Sequence, residues 1–241
     1  MKFTEYTDEG GREVNCDFIS NANANGIHLF AVADGMGERG YLASELAVMT
    51  VIEEFERAPA LDQYALLGYI SAARAELHKR KSERREYDTA DTTLAVLITN
   101  GSEAVYAHCG DTRIYTFRHR RLAEVTEDHS EAFERFSAGE MSYFDIRKSP
   151  VRHHLRRALG DGISWEPEVS EVIRIDSSYA FLICTDGFWN LISEDEMEKA
   201  MPLFSCGGWM GRMLEIVGSR VSEKSDNLTA AAIRLQLSDR F

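Results

Sequence analysis

The segment Ala31-Val32-Ala33-Asp34-Gly35-Met36-Gly37 constrains this chain more than any other. An apolar run, Ile27 to Ala33, stops on a carboxylate followed by two glycines one residue apart. The pattern predicts a buried strand that presents Asp34 at a sheet edge, on a turn that glycine bends easily. Hard divalent cations need anionic oxygens held rigidly, and a strand end supplies that rigidity. A single Asp-Gly after a strand is more often a plain turn. Here the pattern recurs. Ala180 to Cys184 is a second apolar strand, closing on Thr185-Asp186-Gly187, and Ala104 to Cys109 runs into Gly110-Asp111. A fourth acid, Asp226, stands just before the apolar run Ala230 to Ile233. Four acids at strand ends, far apart in the chain, argue for an oxygen-rich metal site assembled by the fold.

The rest of the composition is compatible with that. A net charge of −13 argues against nucleic acid or an anionic membrane as the main partner, and bound cations would offset part of it. Hydrophobic residues make up 44 %, ample for a core, and no linker or repeat divides the 241 residues, so one domain over 1–241 is expected. The cysteines Cys16, Cys109, Cys184 and Cys206 have no paired spacing; Cys109 and Cys184 fall inside strand patterns and read as buried hydrophobes. The N-terminus has no apolar signal region, and no apolar run reaches the ~18 residues of a membrane helix. The reading is a soluble cytoplasmic monomer.

Along the chain, Leu42, Leu46, Met49, Ile52 and Phe55 predict one apolar helix face. Leu61, Tyr64, Leu67, Ile70 and Leu77 predict a second helix, ending in the charged run Lys79 to Glu86. Thr93 to Ile98 reads as a buried strand, and Asn100-Gly101 as a hairpin. Short strands joined by tight turns mean antiparallel pairing, and helices before and after them suggest an α+β layered sandwich. Between 128 and 162 the pattern blurs into a flap-like segment. There Val151, Leu155 and Leu159 predict a short helix surrounded by Arg147, Lys148, Arg152, Arg156 and Arg157, a solvated face or a surface that receives an anionic substrate. Met210, Met213, Leu214, Val217 and Val221 predict a last helix. Arg12 and Asp17 read either as a solvated pair or as a phosphate-binding fork beside a supporting acid.

The order of these stretches resembles the metal-dependent type 2C serine/threonine protein phosphatases, of the bacterial stand-alone type. The resemblance runs from Gly11 to about Leu235 through Arg12-x-x-Asn15-x-Asp17, Val32 to Gly37, Asp91-Thr92-Thr93 and Gly110-Asp111-Thr112-Arg113. It continues through Thr126 to Ser130, Arg157 to Gly160, Cys184 to Trp189 and Ser225 to Thr229. It implies a four-layer αββα sandwich of two antiparallel sheets with the metal site at one end. It implies that Asp34 bridges two Mn²⁺ or Mg²⁺ ions, that the Gly35 carbonyl ligates one of them, and that Asp186 and Asp226 hold the other. Asp17 would orient metal-bound water, Arg12 would grip phosphate, and Asp111 with Asp186 matches a third, weaker metal position. The implied activity is hydrolysis of phosphoserine and phosphothreonine by direct attack of a metal-bridging water, with phosphoproteins and a serine/threonine kinase as partners.

This chain departs from the family at four places. Cys16 stands where Glu or Gln is usual, the loop Glu38-Arg39-Gly40 is short, Asp91 replaces a common Gly, and Met36 replaces the His of eukaryotic members. The first two motivate an alternative: a relative that binds phosphoprotein without turning it over.

Overall fold

The computed structural model describes residues 1–161, 163–202 and 205–235. In chain order its strands are β1 (Lys2–Asp8), β2 (Asp17–Ala24), β3 (Ile27–Met36), β4 (Asp91–Thr92), β5 (Leu94–Thr99) and β6 (Glu103–Cys109). They continue as β7 (Arg113–Arg118), β8 (Arg121–Val125), β9 (Glu168–Val169), β10 (Ile173–Arg174), β11 (Tyr179–Cys184) and β12 (Leu228–Arg234). The helices are α1 (Gly40–Arg57), α2 (Gln63–Glu83), α3 (Glu131–Ser137), α4 (Tyr143–Ile146), α5 (Asp186–Trp189), α6 (Glu194–Ala200) and α7 (Cys206–Gly218).

Two antiparallel sheets result, one ordered β1-β12-β11-β7-β8 and the other β10-β6-β5-β3-β2, with β4 added to β3 and β9 to β6. The apolar runs are continuous rather than alternating because both faces of the central strands are covered. On β3, Phe30 and Val32 point between the sheets, where they join Phe181, Ile183, Ala231 and Ile233 of the opposite sheet. Leu29, Ala31 and Ala33 point outward into a cluster with α1 and α2. On the far side, Leu182 and Cys184 of β11 pack with Trp209, Met210 and Met213 of α7. The order is therefore helix, sheet, sheet, helix, as expected.

Several local expectations are corrected. The strand does not stop at Asp34; it runs on to Met36, because β4 pairs with Gly35 and Met36. The bend falls at Gly37 (φ 87°), where a Cβ would lie 2.0 Å from the Thr89 carbonyl oxygen. Gly35 serves close approach instead: a Cβ there would come within 2.3 Å of the Gly40 backbone at the start of α1. That backbone contact sets the roll of α1. Its buried stripe is Ala43, Ala47, Val48, Val51, Ile52 and Phe55, while Met49 of the expected face is exposed. On α2, Ile70 and Leu77 are buried as expected, but Tyr64 is 87 % exposed, and Leu66 and Tyr69 are buried instead.

The helix expected around Val151 to Leu159 does not form. Its first amides close only local turns, as His154 N–H does on Val151 (3.1 Å), and three later ones go elsewhere: Arg156 N–H donates to His129 (2.8 Å), Ala158 to Ser164 (2.9 Å) and Leu159 to Thr92 (2.8 Å). Two short helices, α3 and α4, lie earlier in the flap-like segment; its final residue, Gly162, lies outside the described residues. Two of the five cations in the expected basic patch are held in ion pairs, Arg147 with Glu194 (2.6 Å) and Arg156 with Glu134 (2.7 Å). Lys81, from the charged run, is not solvated. Its side chain is 8 % exposed and pairs with Asp91, whose carboxylate occupies the space a Cβ on Gly160 would need.

Candidate metal centre

Five acids meet at one end of the sandwich. Asp17 opens β2 directly opposite Asp34 on β3, so two carboxylates face each other across a strand pair. The backbone of Asp34 is locked on both sides. Its N–H donates to Thr93 Oγ1 (2.9 Å), and its carbonyl accepts from Thr93 N–H (2.9 Å) and Thr92 Oγ1 (3.0 Å). Asp186 is the first residue of α5, immediately after the Thr185 cap. Asp111 follows Gly110 (φ 112°) in the turn between β6 and β7, and its carbonyl accepts from the Trp189 indole (2.9 Å). Asp226 precedes β12. Asp34, Asp111, Asp186 and Asp226 line a single cleft of about 490 Å³ with Arg12, Gly35, Cys16 and His153.

Arg12 is not paired with Asp17. Its Nε and Nη2 both donate to Asp226, each at 3.1 Å, across 214 positions of sequence. The pair is held by Asn227, which no sequence argument singled out beyond its place in a motif. The Asn227 side chain accepts from Cys16 N–H (2.8 Å) and donates to the carbonyls of Glu9 (2.9 Å) and Val14 (3.0 Å). One amide therefore pins the whole Arg12 loop beside Asp226. Asp17 is buried; its Oδ2 accepts from Thr185 Oγ1 (2.8 Å), and its Oδ1 is buried with no hydrogen-bond partner.

The motif Asp128-His129-Ser130 positions Asp111. His129 N–H donates to the Gly110 carbonyl (3.1 Å), and Gly110 N–H donates back to His129 Nδ1 (3.2 Å). Asp128 takes both Nε and Nη2 of Arg113 (2.7 and 2.6 Å). His108, His129 and Glu168 also bring ligand-type atoms within 4.8 Å of one another. This trio does not suit a cation. The two rings are stacked (centroids 4.4 Å, 19°), so their in-plane lone pairs cannot converge, and Arg157 Nη1 lies 3.3 Å from His129 Nε2. Burial pushes His129 down to about 3, so the ring is neutral.

The five acids do suit one. Like charges opposed across strands repel, and an orphaned carboxylate oxygen in the interior is costly unless something neutralises it. All the donors are hard oxygens, the set that Mg²⁺, Mn²⁺ and Ca²⁺ take. With no cation among them, burial and then the charges of Asp17, Asp186, Asp111 and Asp226 raise Asp34 well above the carboxylate range. Burial and Asp186 do the same to Asp111, and burial raises Asp17 to about 7 against the hydrogen bonds it accepts. An acid whose folded pKa is raised stabilises the fold fully below its unfolded value, near 3.9, and loses that contribution as pH rises through the folded value. The melting temperature without divalent ions should therefore fall between pH 5 and 8, and Mn²⁺ should restore it most at pH 8. A Mn²⁺-induced shift that is no larger at pH 8 than at pH 5, measured by calorimetry, would separate these acids from cation binding.

A helix-flanked double sheet with its carboxylates gathered in one end cleft defines a class of protein whose chemistry centres on clustered acids. Residues 11–221 match the family described as Protein phosphatase 2C, and the chain belongs to that family. It is 32 % identical to a serine/threonine phosphatase, stp, of Listeria monocytogenes over 74 % of this chain and 73 % of that one. It is 26 % identical to the protein phosphatase PhpP of Streptococcus pneumoniae over 99 % of both. Among solved structures it resembles the PPM Ser-Thr phosphatase MsPP of Mycobacterium smegmatis, in complex with cacodylate (TM-score 0.82, 30 % identity, 98 % of each chain covered). The fold is also that of the PstP catalytic domain determined with two manganese ions (TM-score 0.83, 23 % identity, 98 % of each chain). No described helix is long and apolar enough to cross a membrane.

Proposed function

We propose that this chain is a Mn²⁺- or Mg²⁺-dependent phosphatase acting on phosphoserine and phosphothreonine in proteins, and that it opposes a serine/threonine kinase. The observation that carries this reading is the convergence of Asp34, Asp111, Asp186 and Asp226 on one cleft with Arg12 at its side. Asp34, the Gly35 carbonyl, Asp186 and Asp226 would hold two ions, and Asp111 with Asp186 a third. When bound, the ions supply positive charge that stabilises a phosphoryl group under attack by water.

The protein's own groups divide the remaining work. Arg12 offers a planar fork that can leave Asp226 for a phosphate, and its side chain is 57 % exposed, so a protein-borne phosphate can reach it. Thr92 and Thr93 fix Asp34, and Thr185 fixes Asp17. The Cys16 thiol lines the cleft, but burial raises its pKa, so it stays a thiol and makes a poor nucleophile. That favours direct attack by water over a phosphocysteine. A hydrolase that regenerates serine and threonine hydroxyls needs a kinase to supply its substrate, hence the proposed partner.

Phosphate release from a phosphothreonine peptide should require added Mn²⁺ and stop with a chelator. Turnover indifferent to the chelator would refute metal dependence. Tight phosphopeptide binding without release, at saturating Mn²⁺, would favour the non-hydrolysing alternative raised by Cys16 and the short 38–40 loop. For Arg12→Ala, KM should rise about tenfold or more with kcat less affected, since a charged hydrogen bond is worth roughly 1.5–3 kcal/mol and the fork holds ground and transition states alike. KM and kcat both unchanged would return Arg12 to a surface ion pair with Asp226.

A further inference from the structure

β4 is only two residues long, Asp91 and Thr92, yet the placement of Asp34 depends on it. Thr92 Oγ1 and the N–H of the next residue, Thr93, both donate to the Asp34 carbonyl (3.0 and 2.9 Å). Thr92 also stands opposite Gly35 in the β3–β4 pair, and on its other side it exchanges backbone hydrogen bonds with Leu159 (2.8 and 3.3 Å). So short a strand makes too few ladder bonds to fix its own register. Asp91 supplies an anchor beside it. Its carboxylate takes the ammonium of Lys81, from the last turn of α2, and Lys81 is itself nearly buried. Lys81 also lies 3.5 Å from Asp161, which in turn pairs with His78 of α2 at 2.9 Å. A Cβ on Gly160 would fall 2.3 Å from the Asp91 carboxylate carbon, so that glycine leaves the carboxylate room to reach Lys81. Asp91 stands where glycine is common in the family, and the proposed reaction leaves its carboxylate without a role.

We propose that Lys81 and Asp91 are positioning residues for the metal centre, an ion-pair clamp that ties α2 through β4 to Asp34 and Gly35. The proposal rests on the metal reading above and extends it to two residues outside the cleft. α2 is a firm point of attachment, since Leu66, Ile70, Ala73 and Leu77 are buried in the cluster that it shares with α1 and β3. An ion pair largely out of water resists separation, because either partner left alone keeps a charge that the interior does not solvate. When one charge is removed, the other turns toward water, and β4 carries that movement one residue along to Thr92. The Asp34 carbonyl then loses the fixed donors that set its carboxylate in the cleft. Arg12 is held elsewhere, by Asp226 and by the loop that Asn227 pins, so the grip on phosphate is untouched. Loss of the clamp therefore weakens cation binding and turnover, and leaves substrate binding alone.

The test compares the whole chain with Lys81→Met and Asp91→Asn, two changes that keep side-chain shape and remove one charge each. Amide hydrogen exchange on the metal-free proteins reads the clamp directly. The Thr92 and Thr93 amides should exchange about tenfold faster or more in both variants, while amides of β11 and β12 in the opposite sheet keep the parental rate. Calorimetry should then show the tightest Mn²⁺ step weakened by about tenfold or more. Phosphopeptide kinetics at saturating Mn²⁺ should show a lower kcat with KM little changed, the reverse of Arg12→Ala. Parental exchange at Thr92 and Thr93 in both variants would overturn the proposal. Exchange accelerated equally in both sheets would overturn it as well, since it marks a general loss of stability. Faster exchange confined to β4 with parental Mn²⁺ affinity would also overturn it and leave the pair as a fold contact. All three results leave the metal reading standing, whereas a parent chain that binds no Mn²⁺ would overturn that reading and the proposal together.

Discussion

Asp34→Asn should abolish Mn²⁺-dependent hydrolysis while the protein stays folded. The side chain keeps its shape and loses its charge, and the backbone anchors from Thr92 and Thr93 do not depend on that charge. What is lost is the anion facing Asp17 across the strand pair and closest in field to Asp186, Asp111 and Asp226. Cations sharing the cleft repel each other unless an anion stands between them, so Mn²⁺ affinity falls. Stabilisation of the reacting phosphoryl group by several kcal/mol goes with it, roughly a thousandfold or more in kcat/KM. The same change relieves repulsion among the acids, so the variant without divalent ions should melt higher than the parent at pH 8. Calorimetry and phosphopeptide kinetics on one preparation read both effects. Near-parental activity, or a melting temperature that drops, would take Asp34 out of the site.

The second large effect concerns the support behind Asp111. Arg113 and Asp128 form a bidentate pair in which both side chains are 2 % exposed. The guanidinium also lies 3.6 Å above the Trp189 ring and donates to Tyr115 Oη (3.0 Å). Asp128→Ala leaves that cation buried with its main partner gone, a loss of about 3–5 kcal/mol. For a chain of this size the melting temperature should fall by roughly 6–20 °C. Activity should fall as well, because Trp189 donates to the Asp111 carbonyl and Arg113 is two residues from Asp111. The double variant Arg113→Met with Asp128→Leu should recover much of the stability, since removing both charges also removes the desolvation penalty. A single variant within 2 °C of the parent, by the same scale, would show that Glu194, 3.6 Å from Arg113, already compensates the cation.

Much of this protein is written locally. The hairpin at Asn100-Gly101 forms as expected, with Gly101 at φ 85°, because a tight turn needs only its own residues. The continuous apolar runs of β3, β5, β11 and β12 announce strands covered on both faces, and the two sheets cover them. The order of short acidic motifs pointed to the family, and the chain belongs to it. The four cleft acids were legible too, as acids beside apolar runs, although Asp34 proved to lie inside β3 and not at its end.

Contacts distant in sequence were decided by packing. Arg12 meets Asp226 and not Asp17, because β1 and β12 pair and bring the chain's two ends together. Asp17 finds Thr185 only because the two sheets stack. The apolar residues of α1 could have formed either of two overlapping stripes, and the close passage of Gly35 against Gly40 chose the one rich in alanine. The stretch from Val151 to Leu159 has a helical period, but the amides of Arg156, Ala158 and Leu159 bond to His129, Ser164 and Thr92, and a backbone amide donated elsewhere is lost to a helix. His153 reaches the cleft on that irregular stretch. Periodicity reports which residues share a face, whereas position in space follows from which distant backbone they bond to.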